Sequence, residues 1–434
     1  MTPSTETHGS DQPGAQPIAE GTISVKMYDA GFGDCFLVRI PAPDGRARKI
    51  LFDCGSIKLG SQSIEEVVAQ VIADARDTPS GRARIDIVVA THRHRDHVSG
   101  FDDPAWAEVE VGEVWMPWTE KSGDTLACAI RERQNRLAAL LLSRLETRLA
   151  ASASAAERAA IASAQDLAMN ATSNEAAMQT LCRGFAGNPV RRYFPEEGAN
   201  TAFFTTPLLP GVTIYVAGPS RDPEIICELD PPAGKHYLKM AEAVGGPAAA
   251  QARPFGTDWG ISPDEYASPH DLPWPEFAPE GQKEIEDAGL SMDDAVAAAL
   301  DRALNGTSLV LVLQTRNSTL LFPGDAQWGT WRLALKNQEL RQLLKSTNLY
   351  KVGHHGSHNA TPREFVEEVL PGSSWAMVSV TPHGSWKEIP KRELLDALRL
   401  KPGNKTARSD EPEAAGALGF IVEGKKAIEA HVPF

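Results

Sequence analysis

The sequence lacks several features that would assign it to particular classes of protein. None of its five cysteines forms a Cys-x-x-Cys pair, and their number is odd, so a disulfide framework is not expected. No run of about eighteen apolar residues occurs, so no membrane span is expected either. The first residues are polar and include no apolar segment of the kind found in secretory signals. We therefore expect a disordered tail over residues 1–21 and a protein of the reducing cytoplasm.

Positive charge is also in short supply. The chain of 434 residues has 43 Lys and Arg against 57 Asp and Glu, a formal net charge of −14. Proteins that coat nucleic acid non-specifically use Lys and Arg to neutralise phosphates, so this balance disfavours such a partner, while a local basic groove stays open. No membrane partner is expected, and nothing in the sequence specifies an oligomeric state.

Short apolar runs in both halves of the chain predict β-strands, and segments with helical spacing follow them. In the first half the runs lie at 23–27, 35–40, 49–54 and 85–90. In the second half they lie at 212–217, 308–314, 318–322, 349–352 and 375–380. This alternation predicts a layered α/β protein with two related sheets.

Two stretches differ from this pattern. Residues from about 120 to 190 are rich in Ala, Leu, Arg and Glu, and Leu137, Leu141, Leu145 and Leu149 recur every four residues. That spacing predicts two or three helices with one apolar stripe, packed on the main body, covering a site or contacting a second copy. Residues from about 221 to 285 are rich in Pro, Gly and charge and predict a long irregular excursion.

The segment Thr91–His97 (THRHRDH) carries the strongest chemical signal. Three of the eleven histidines of the chain and one aspartate fall within six residues, directly after an apolar run. Imidazole nitrogen and carboxylate oxygen are common zinc ligands. Residues two apart in an extended chain point the same way, so His92 and His94 would share one ion. If a helix follows, Asp96 and His97 would face a second.

Two later segments carry related residues after strands of their own. Asp325 ends the turn Phe322-Pro-Gly-Asp, in which a carboxylate could bridge two cations. The run Lys351–His358 (KVGHHGSH) adds His354, His355 and His358, with glycines that permit close backbone approach. Six of the eleven histidines thus lie in two loops that each follow a strand.

With these motifs in place, the chain resembles the metallo-β-lactamase-fold hydrolases. Residues 91–97 match the His-x-His-x-Asp-His signature of that family in full, Asp53 in Leu-Phe-Asp-Cys-Gly matches its first motif, and Asp325 matches its bridging acid. The Gly33-Asp-Cys-Phe-Leu and Val352-Gly-His-His-Gly-Ser segments are similar to one branch, which includes the hydrolase domain of DNA-uptake competence channels. The resemblance covers about residues 22–118 and 200–400.

The resemblance implies an αββα sandwich over residues 22–434, interrupted by the two stretches described above. It also implies that His92 and His94 hold one ion, that Asp96 and His97 hold a second, and that Asp325 bridges them. One of His354 and His355 would complete the second position. Asp53 would orient the ligands. The implied cofactor is zinc, as one or two ions, with manganese as the alternative.

The chain departs from the family at two places. Most members supply a histidine from a third motif, which lies between the His-x-His-x-Asp-His loop and the bridging Asp. This sequence has Val216-Ala-Gly-Pro219 there, without a histidine. His236 and His270 are the histidines between the loop and Asp325. The related branch often has Gly-His-Pro in a late loop, where this chain has Ser385–Pro390. His383 is the candidate to compensate. These departures leave a mononuclear site open.

The chemistry expected of such a site is hydrolysis by a metal-activated hydroxide, because a bound ion lowers the pKa of water towards neutrality. Asp96 would orient the nucleophile, and one of His354 and His355, or His358, would protonate the leaving group. The substrate expected from the resemblance is a phosphodiester, either a nucleotide or nucleic acid. The acidic net charge disfavours the polymer and leaves a small phosphodiester. Hydrolysis of an ester, thioester or lactam at the same site is an alternative. A non-catalytic regulatory protein with an incomplete metal site is the alternative from another class.

Overall fold

The computed structural model describes residues 21–236 apart from 59, 79–80, 152–153, 173, 198–201, 230 and 233, residues 296–382 apart from 298, and residues 388–434. Almost all of the tail predicted for 1–21, most of the Pro-rich stretch and His383 therefore lie outside the described residues. No helix in the described part of the chain is long and apolar enough to cross a membrane.

The described chain forms strands and helices in alternation, as the sequence predicts. The strands are β1 (Thr22–Tyr28), β2 (Cys35–Ile40), β3 (Arg48–Cys54), β4 (Arg84–Val89), β5 (Glu110–Pro117), β6 (Val190–Phe194), β7 (Ala202–Phe204), β8 (Thr213–Gly218), β9 (Val310–Gln314), β10 (Thr319–Phe322), β11 (Thr347–Lys351), β12 (Trp375–Val378), β13 (Lys405–Arg408), β14 (Ile421–Glu423) and β15 (Ala427–Pro433).

The α-helices are α1 (Ile64–Asp74), α2 (Arg95–Val98), α3 (Thr125–Ala151), α4 (Ala155–Thr172), α5 (Glu175–Gln179), α6 (Pro223–Ile226), α7 (299–305), α8 (Trp328–Lys336), α9 (Gln338–Leu344), α10 (Arg392–Leu400) and α11 (Pro412–Ala417). Short 3₁₀ turns lie at Ser99–Asp102, Pro104–Glu108, Trp118–Glu120 and Gly353–Gly356, and π turns at Thr180–Gly184 and Phe365–Val369.

These strands build two mixed sheets, so the predicted α/β class is confirmed. One sheet has eight strands in the order β14-β15-β1-β2-β3-β4-β5-β6, and the other has seven in the order β13-β12-β11-β10-β9-β8-β7. Within them β3 to β6 run parallel to one another, as do β10 to β13. The carboxyl ends of several strands in each sheet therefore point the same way.

The two sheets share one hydrophobic core, and each sheet packs on helices at its other face. Alternate residues of β2 show this: Phe36 and Val38 contribute to the core between the sheets, while Leu37 packs with α1. Successive side chains of a strand point to opposite faces, and a strand buried on both faces needs a nearly continuous apolar sequence. This explains why the strand runs of the sequence are so clearly apolar.

The helices predicted between about 120 and 190 are present as α3, α4 and α5. Helices α3 and α4 pack on each other through a small apolar cluster that includes Leu141, Leu145 and Ile161. Of the four leucines that define the predicted stripe, Leu141 and Leu145 are buried, whereas Leu137 and Leu149 are exposed. The stripe is thus shorter than the sequence suggests.

Candidate metal centre

The candidate site lies at the carboxyl ends of parallel strands from both sheets. Strand β3 ends just after Asp53, β4 leads into the loop at 91–97, β10 leads to Asp325 and β11 leads to His355. Because parallel strands present their carboxyl ends at one edge, residues far apart in sequence meet there. Asp96, His97, Asp325 and His355 form one buried group whose ligand atoms all lie within 4.8 Å of one another.

His97 is at the centre of this group. Its Nδ1 lies 2.8 Å from Asp53 Oδ2, and its Nε2 lies 3.1 Å from Asp325 Oδ2 and 3.7 Å from Asp96 Oδ2. A metal-ligating imidazole commonly donates its far nitrogen to a carboxylate, which fixes the tautomer that leaves the other nitrogen for the metal. The contact with Asp53 suits this role and leaves Nε2 facing two carboxylates.

Asp53 also holds the start of the loop. Its Oδ1 accepts a hydrogen bond from the backbone N–H of Thr91 at 2.7 Å, and its Oδ2 accepts one from the Thr91 hydroxyl at 2.7 Å. The side chain thereby ties strand β3 to the loop that follows β4 and to the ring of His97. This is the orienting geometry that the sequence resemblance implies for Asp53.

His355, rather than His354, joins the buried group. Its Nδ1 donates to the carbonyl oxygen of Ser379 at 2.8 Å, and its Nε2 lies 3.1 Å from Asp96 Oδ2. His354 Nε2 instead lies 3.5 Å from Asn305 Nδ2. The sequence left the choice between the two histidines open, and the geometry favours His355.

The spacing of these atoms fits a shared cation. For zinc bonds to nitrogen and oxygen of about 2.0–2.1 Å, two ligands of a tetrahedral ion lie about 3.3 Å apart. The three distances between imidazole Nε2 and carboxylate Oδ2 atoms, 3.1, 3.7 and 3.1 Å, bracket that value. Asp96 Oδ1 is buried and has no hydrogen-bond partner among the described residues. The donor set therefore suits a metal ion.

His92 and His94 meet beside this group, as their spacing predicts. His92 Nε2 and His94 Nδ1 are 2.9 Å apart, and the ring of His92 lies 4.2 Å from that of His97. Both side chains are buried. Two imidazole nitrogens this close can share a proton or bind one ion together, so these atoms define the first metal position.

A buried lysine completes the site, and sequence reasoning missed it. Lys351 Nζ forms an ion pair with Asp34 and lies 3.2 Å from Asp325 Oδ1. The same Oδ1 accepts the backbone N–H of His354 at 3.0 Å. Asp325 therefore uses Oδ1 for protein contacts and turns Oδ2 towards His97. Asp34 and Lys351 lie within two segments that the sequence analysis had already identified, 33–37 and 351–358. Their position next to the motif residues is the sequence feature that could have marked them as part of the site.

Electrostatics show that the site is short of positive charge. Burial alone would lower the pKa of His97, but Asp325, Asp96 and Asp53 raise it well above its usual value. Burial likewise opposes protonation of His355, yet Asp96 and Asp34 raise its pKa. Burial would raise the pKa of Asp325, but His97 and Lys351 hold it well below the usual range. The surrounding carboxylates therefore favour a positive charge at both imidazoles.

The first position has a different character. Burial, followed by the neighbouring His97 and His94, lowers the pKa of His92 well below its usual value. Burial is also the main cause that lowers the pKa of His94 to about 4. Both rings are therefore neutral near pH 7, the form of imidazole that binds a metal.

Strained backbone is concentrated at this site. Asp53, His354 and His355 have φ values of 56°, 46° and 51°, and Asn188 is the other non-glycine with positive φ in the described chain. Positive φ costs free energy for residues with a side chain, and such strain is typical of functional sites. The surrounding contacts of Asp53 and His355 hold both residues in place.

Two glycines let neighbouring loops approach the metal-binding loop. A Cβ atom on Gly55 would lie 2.5 Å from the carbonyl oxygen of Arg95, and one on Gly33 would lie 2.8 Å from that of Asp96. No side chain fits at these distances. The glycines therefore set how closely β2 and β3 bring Asp34 and Asp53 to the ligands.

The helical stretch supports the same loop from the other side. Asn170 on α4 accepts the backbone N–H of Arg95 through Oδ1 at 2.8 Å, and Asn174 donates through Nδ2 to the carbonyl of Arg93. The sequence left three roles open for residues of about 120 to 190: packing on the main body, covering a site, or contacting a second copy. These two hydrogen bonds are contacts with the main body. They also reach the residues on either side of His94.

The remaining predicted residues lie outside the four-residue group. His358 is half-buried, and its ring lies 5.9 Å from the ring of His236. The segment of the missing third motif ends β8, where Gly218 precedes a cis Pro219. His383, like His270, falls outside the described residues.

Fold and site together define an α/β protein with a buried His–Asp cluster able to hold a metal ion. Comparison with known proteins adds no relative, since no family model matches the chain and no curated protein is significantly similar to it.

Proposed function

We propose that this protein is a metal-dependent hydrolase of the metallo-β-lactamase fold, an αββα sandwich, and that its preferred substrate is a small phosphodiester. The observation that carries the proposal is the buried group of Asp96, His97, Asp325 and His355, whose facing atoms are spaced as ligands of one ion. The layered arrangement of two sheets with helices on their outer faces supports the fold assignment.

Zinc is the proposed metal, because the donor set combines imidazole nitrogen with carboxylate oxygen. His92 and His94 would hold one ion at the first metal position, and Asp96, His97, Asp325 and His355 would hold another at the second metal position. When bound, the metal supplies a nucleophile from water at neutral pH and neutralises charge that develops on the substrate.

The protein side chains have separable roles in this proposal. Asp53 and the Ser379 carbonyl fix the tautomers of His97 and His355, so that each ring turns Nε2 towards the carboxylates. Asp96 has Oδ1 available to orient the attacking water, since that atom has no partner among the described residues. His358, three residues beyond His355, is the proposed proton donor to the leaving group.

The net charge of −14 supports a small substrate over a polymer, because a nucleic-acid chain would be repelled at long range. The phosphodiester class itself rests on the sequence resemblance. The alternative is a carbonyl substrate such as an ester, thioester or lactam. It requires the same metal site, and an experiment distinguishes it from a phosphodiester.

The test is a substrate panel on the zinc- or manganese-loaded full chain, with Asp96→Ala as the inactive control. The panel holds bis(p-nitrophenyl) phosphate, single- and double-stranded nucleic acid, a lactam and a thioester. We expect hydrolysis of the small phosphodiester, and loss of that activity in the variant. Activity on carbonyl substrates alone would defeat the phosphodiester assignment. Equal activity of wild type and Asp96→Ala would show that the chemistry occurs elsewhere.

A further inference from the structure

A buried carboxylate from outside the metal-binding motifs faces His94. Asp301 lies on α7, is 8% exposed, and places Oδ1 3.6 Å from His94 Nε2. Its other oxygen, Oδ2, accepts a hydrogen bond from Asn305 Nδ2 at 3.3 Å, one helical turn further on, and the side chain of Asn170 also hydrogen-bonds to this carboxylate. Among the described residues, Asp301 forms no ion pair with Lys or Arg. Burying a carboxylate without a cation costs free energy, so its position calls for an explanation.

His94 has a complementary need. Its Nδ1 faces His92 Nε2 at 2.9 Å. Its buried Nε2 makes no close hydrogen bond among the described residues and has the side chains of Asp301 and Asn305 as polar neighbours. An imidazole that binds a metal through one nitrogen carries its proton on the other. The nitrogen that would carry that proton in His94 is the one turned towards Asp301.

The second metal position already shows the same arrangement twice. His97 turns its far nitrogen to Asp53 at 2.8 Å, and His355 turns its far nitrogen to the Ser379 carbonyl at 2.8 Å. Such acceptors behind ligating histidines set ring orientation and basicity. Asp301 lies behind His94 as Asp53 lies behind His97, but at 3.6 Å rather than 2.8 Å.

We propose that Asp301 is a positioning residue of the first metal position. Its Oδ1 faces the Nε2 of His94 from 3.6 Å and, by favouring the proton on that nitrogen, leaves the Nδ1 lone pair, together with His92 Nε2, for the ion. This inference rests on the proposed metal centre. The inference gives α7 a role in positioning a metal ligand, although α7 lies outside the motifs by which the sequence resembles hydrolases. The chain also lacks the third-motif histidine.

Zinc binding to the full chain, measured by calorimetry after chelator treatment, tests the inference. We expect two ions to bind wild type, and Asp301→Ala to weaken one of them 10–100-fold without changing the other. Asp301→Asn retains an oxygen that can accept the same bond, and should recover part of the lost affinity. Asp86→Ala is the matched control, since Asp86 is a fully buried carboxylate that pairs with Arg46 near the amino end of β4.

The outcomes separate the inference from the proposed function. If wild type binds no zinc, the metal centre itself is wrong. If zinc binds and Asp301→Ala leaves its affinity and stoichiometry unchanged, the centre stands and the role of Asp301 is refuted. If Asp86→Ala weakens the same ion equally, the effect is general destabilisation and the inference also fails.

A measurement on wild type guards against variants that do not fold. In the metal-free chain labelled with [15N]histidine, the signal of His94, assigned by its loss in His94→Gln, should show the proton on Nε2. A proton on Nδ1 would contradict the proposal.

Discussion

His354 and His355 follow one another in the sequence and share an unusual backbone, yet they meet different neighbours. Both have positive φ, near 50°, so an alanine at either position bears similar backbone strain. Only the ring of His355 belongs to the buried group with Asp96, His97 and Asp325. The pair therefore offers a controlled comparison at the scale of one residue.

We expect His355→Ala to lower zinc affinity at least tenfold and to abolish turnover, because it removes a ligand from the proposed second position. His354→Ala, the matched control, should keep that ion. Calorimetric zinc titration of the two variants checks this. A larger loss of affinity in His354→Ala than in His355→Ala would reverse the ligand assignment.

The raised pKa values of His97 and His355 predict a pH dependence. A histidine whose pKa is higher in the folded than in the unfolded state stabilises the fold below about pH 6.5, and that contribution is lost as pH rises through the folded pKa. Both shifts are upward. The lowered pKa values of His92 and His94 act in the opposite direction up to about pH 7.5, so the metal-free protein should lose stability above that pH. Zinc must displace these protons, and its stabilising effect should therefore grow with pH.

Thermal unfolding of the metal-free and zinc-loaded chain, between about pH 7.5 and pH 9, measures both effects. We expect the melting temperature of the metal-free chain to fall over this interval while the difference made by zinc increases. A zinc effect that is the same at all pH values would mean that the imidazoles are not protonated in the metal-free site.

At the scale of elements, the helices that follow β5 take part in shaping the site. Asn170 on α4 satisfies the backbone N–H of Arg95 at the start of α2. We expect Asn170→Ala to destabilise the fold by about 1–3 kcal/mol, because it leaves that donor without its partner, and to weaken zinc binding by loosening the loop. Asp166→Ala, at an exposed position of the same helix, should change neither property.

Chemical denaturation and zinc titration of both variants measure these effects. If Asn170→Ala destabilises the chain without altering zinc affinity, α4 is a packing element only. If neither variant has an effect, the contact contributes nothing to either property.

The close approach of β3 to the metal-binding loop is a second property of elements. A Cβ atom on Gly55 would lie 2.5–2.6 Å from backbone atoms of Arg95, Asp96 and His97. Because the clash is with backbone atoms, a change of side-chain rotamer cannot relieve it. We expect Gly55→Ala to displace the loop and reduce zinc affinity. Gly123→Ala is the control, because nothing lies within 4 Å of its added methyl group. Similar zinc affinities for the two variants would show that the loop tolerates the shift.

At the scale of the whole molecule, the sequence predicted the strands that have a continuous apolar run. Strands β2, β3 and β9 were evident from their apolar runs, since both of their faces lie in cores. The sequence did not predict β5 and β6, in which charged residues interrupt the apolar ones, nor β7, β13 and β14, which are short. The pairing of β15 with β1, in which residue 433 lies opposite residue 22, was also not predicted. Two strands so far apart in sequence share no local sequence pattern that would indicate their pairing.

Some residues of the candidate site were likewise predictable from the sequence, and others were not. The loop at 91–97 was evident because its ligands are close in sequence, and Asp325 and His355 because each follows a strand. Lys351 and Asp34 escaped notice, since a single charged residue next to a strand is usually solvated. Asp301 lies in a helix, and only the fold brings it to His94. What could not be predicted is the set of contacts made by tertiary structure.

The central claim is a metal centre at the carboxyl ends of the strands of both sheets. The most direct test is the zinc-binding stoichiometry of the chelator-treated full chain, measured by calorimetry and by metal analysis after desalting. We predict at least one tightly bound ion per wild-type chain, and the loss of an ion in Asp96→Ala. Less than one ion per wild-type chain, or the same stoichiometry in both proteins, would contradict the account.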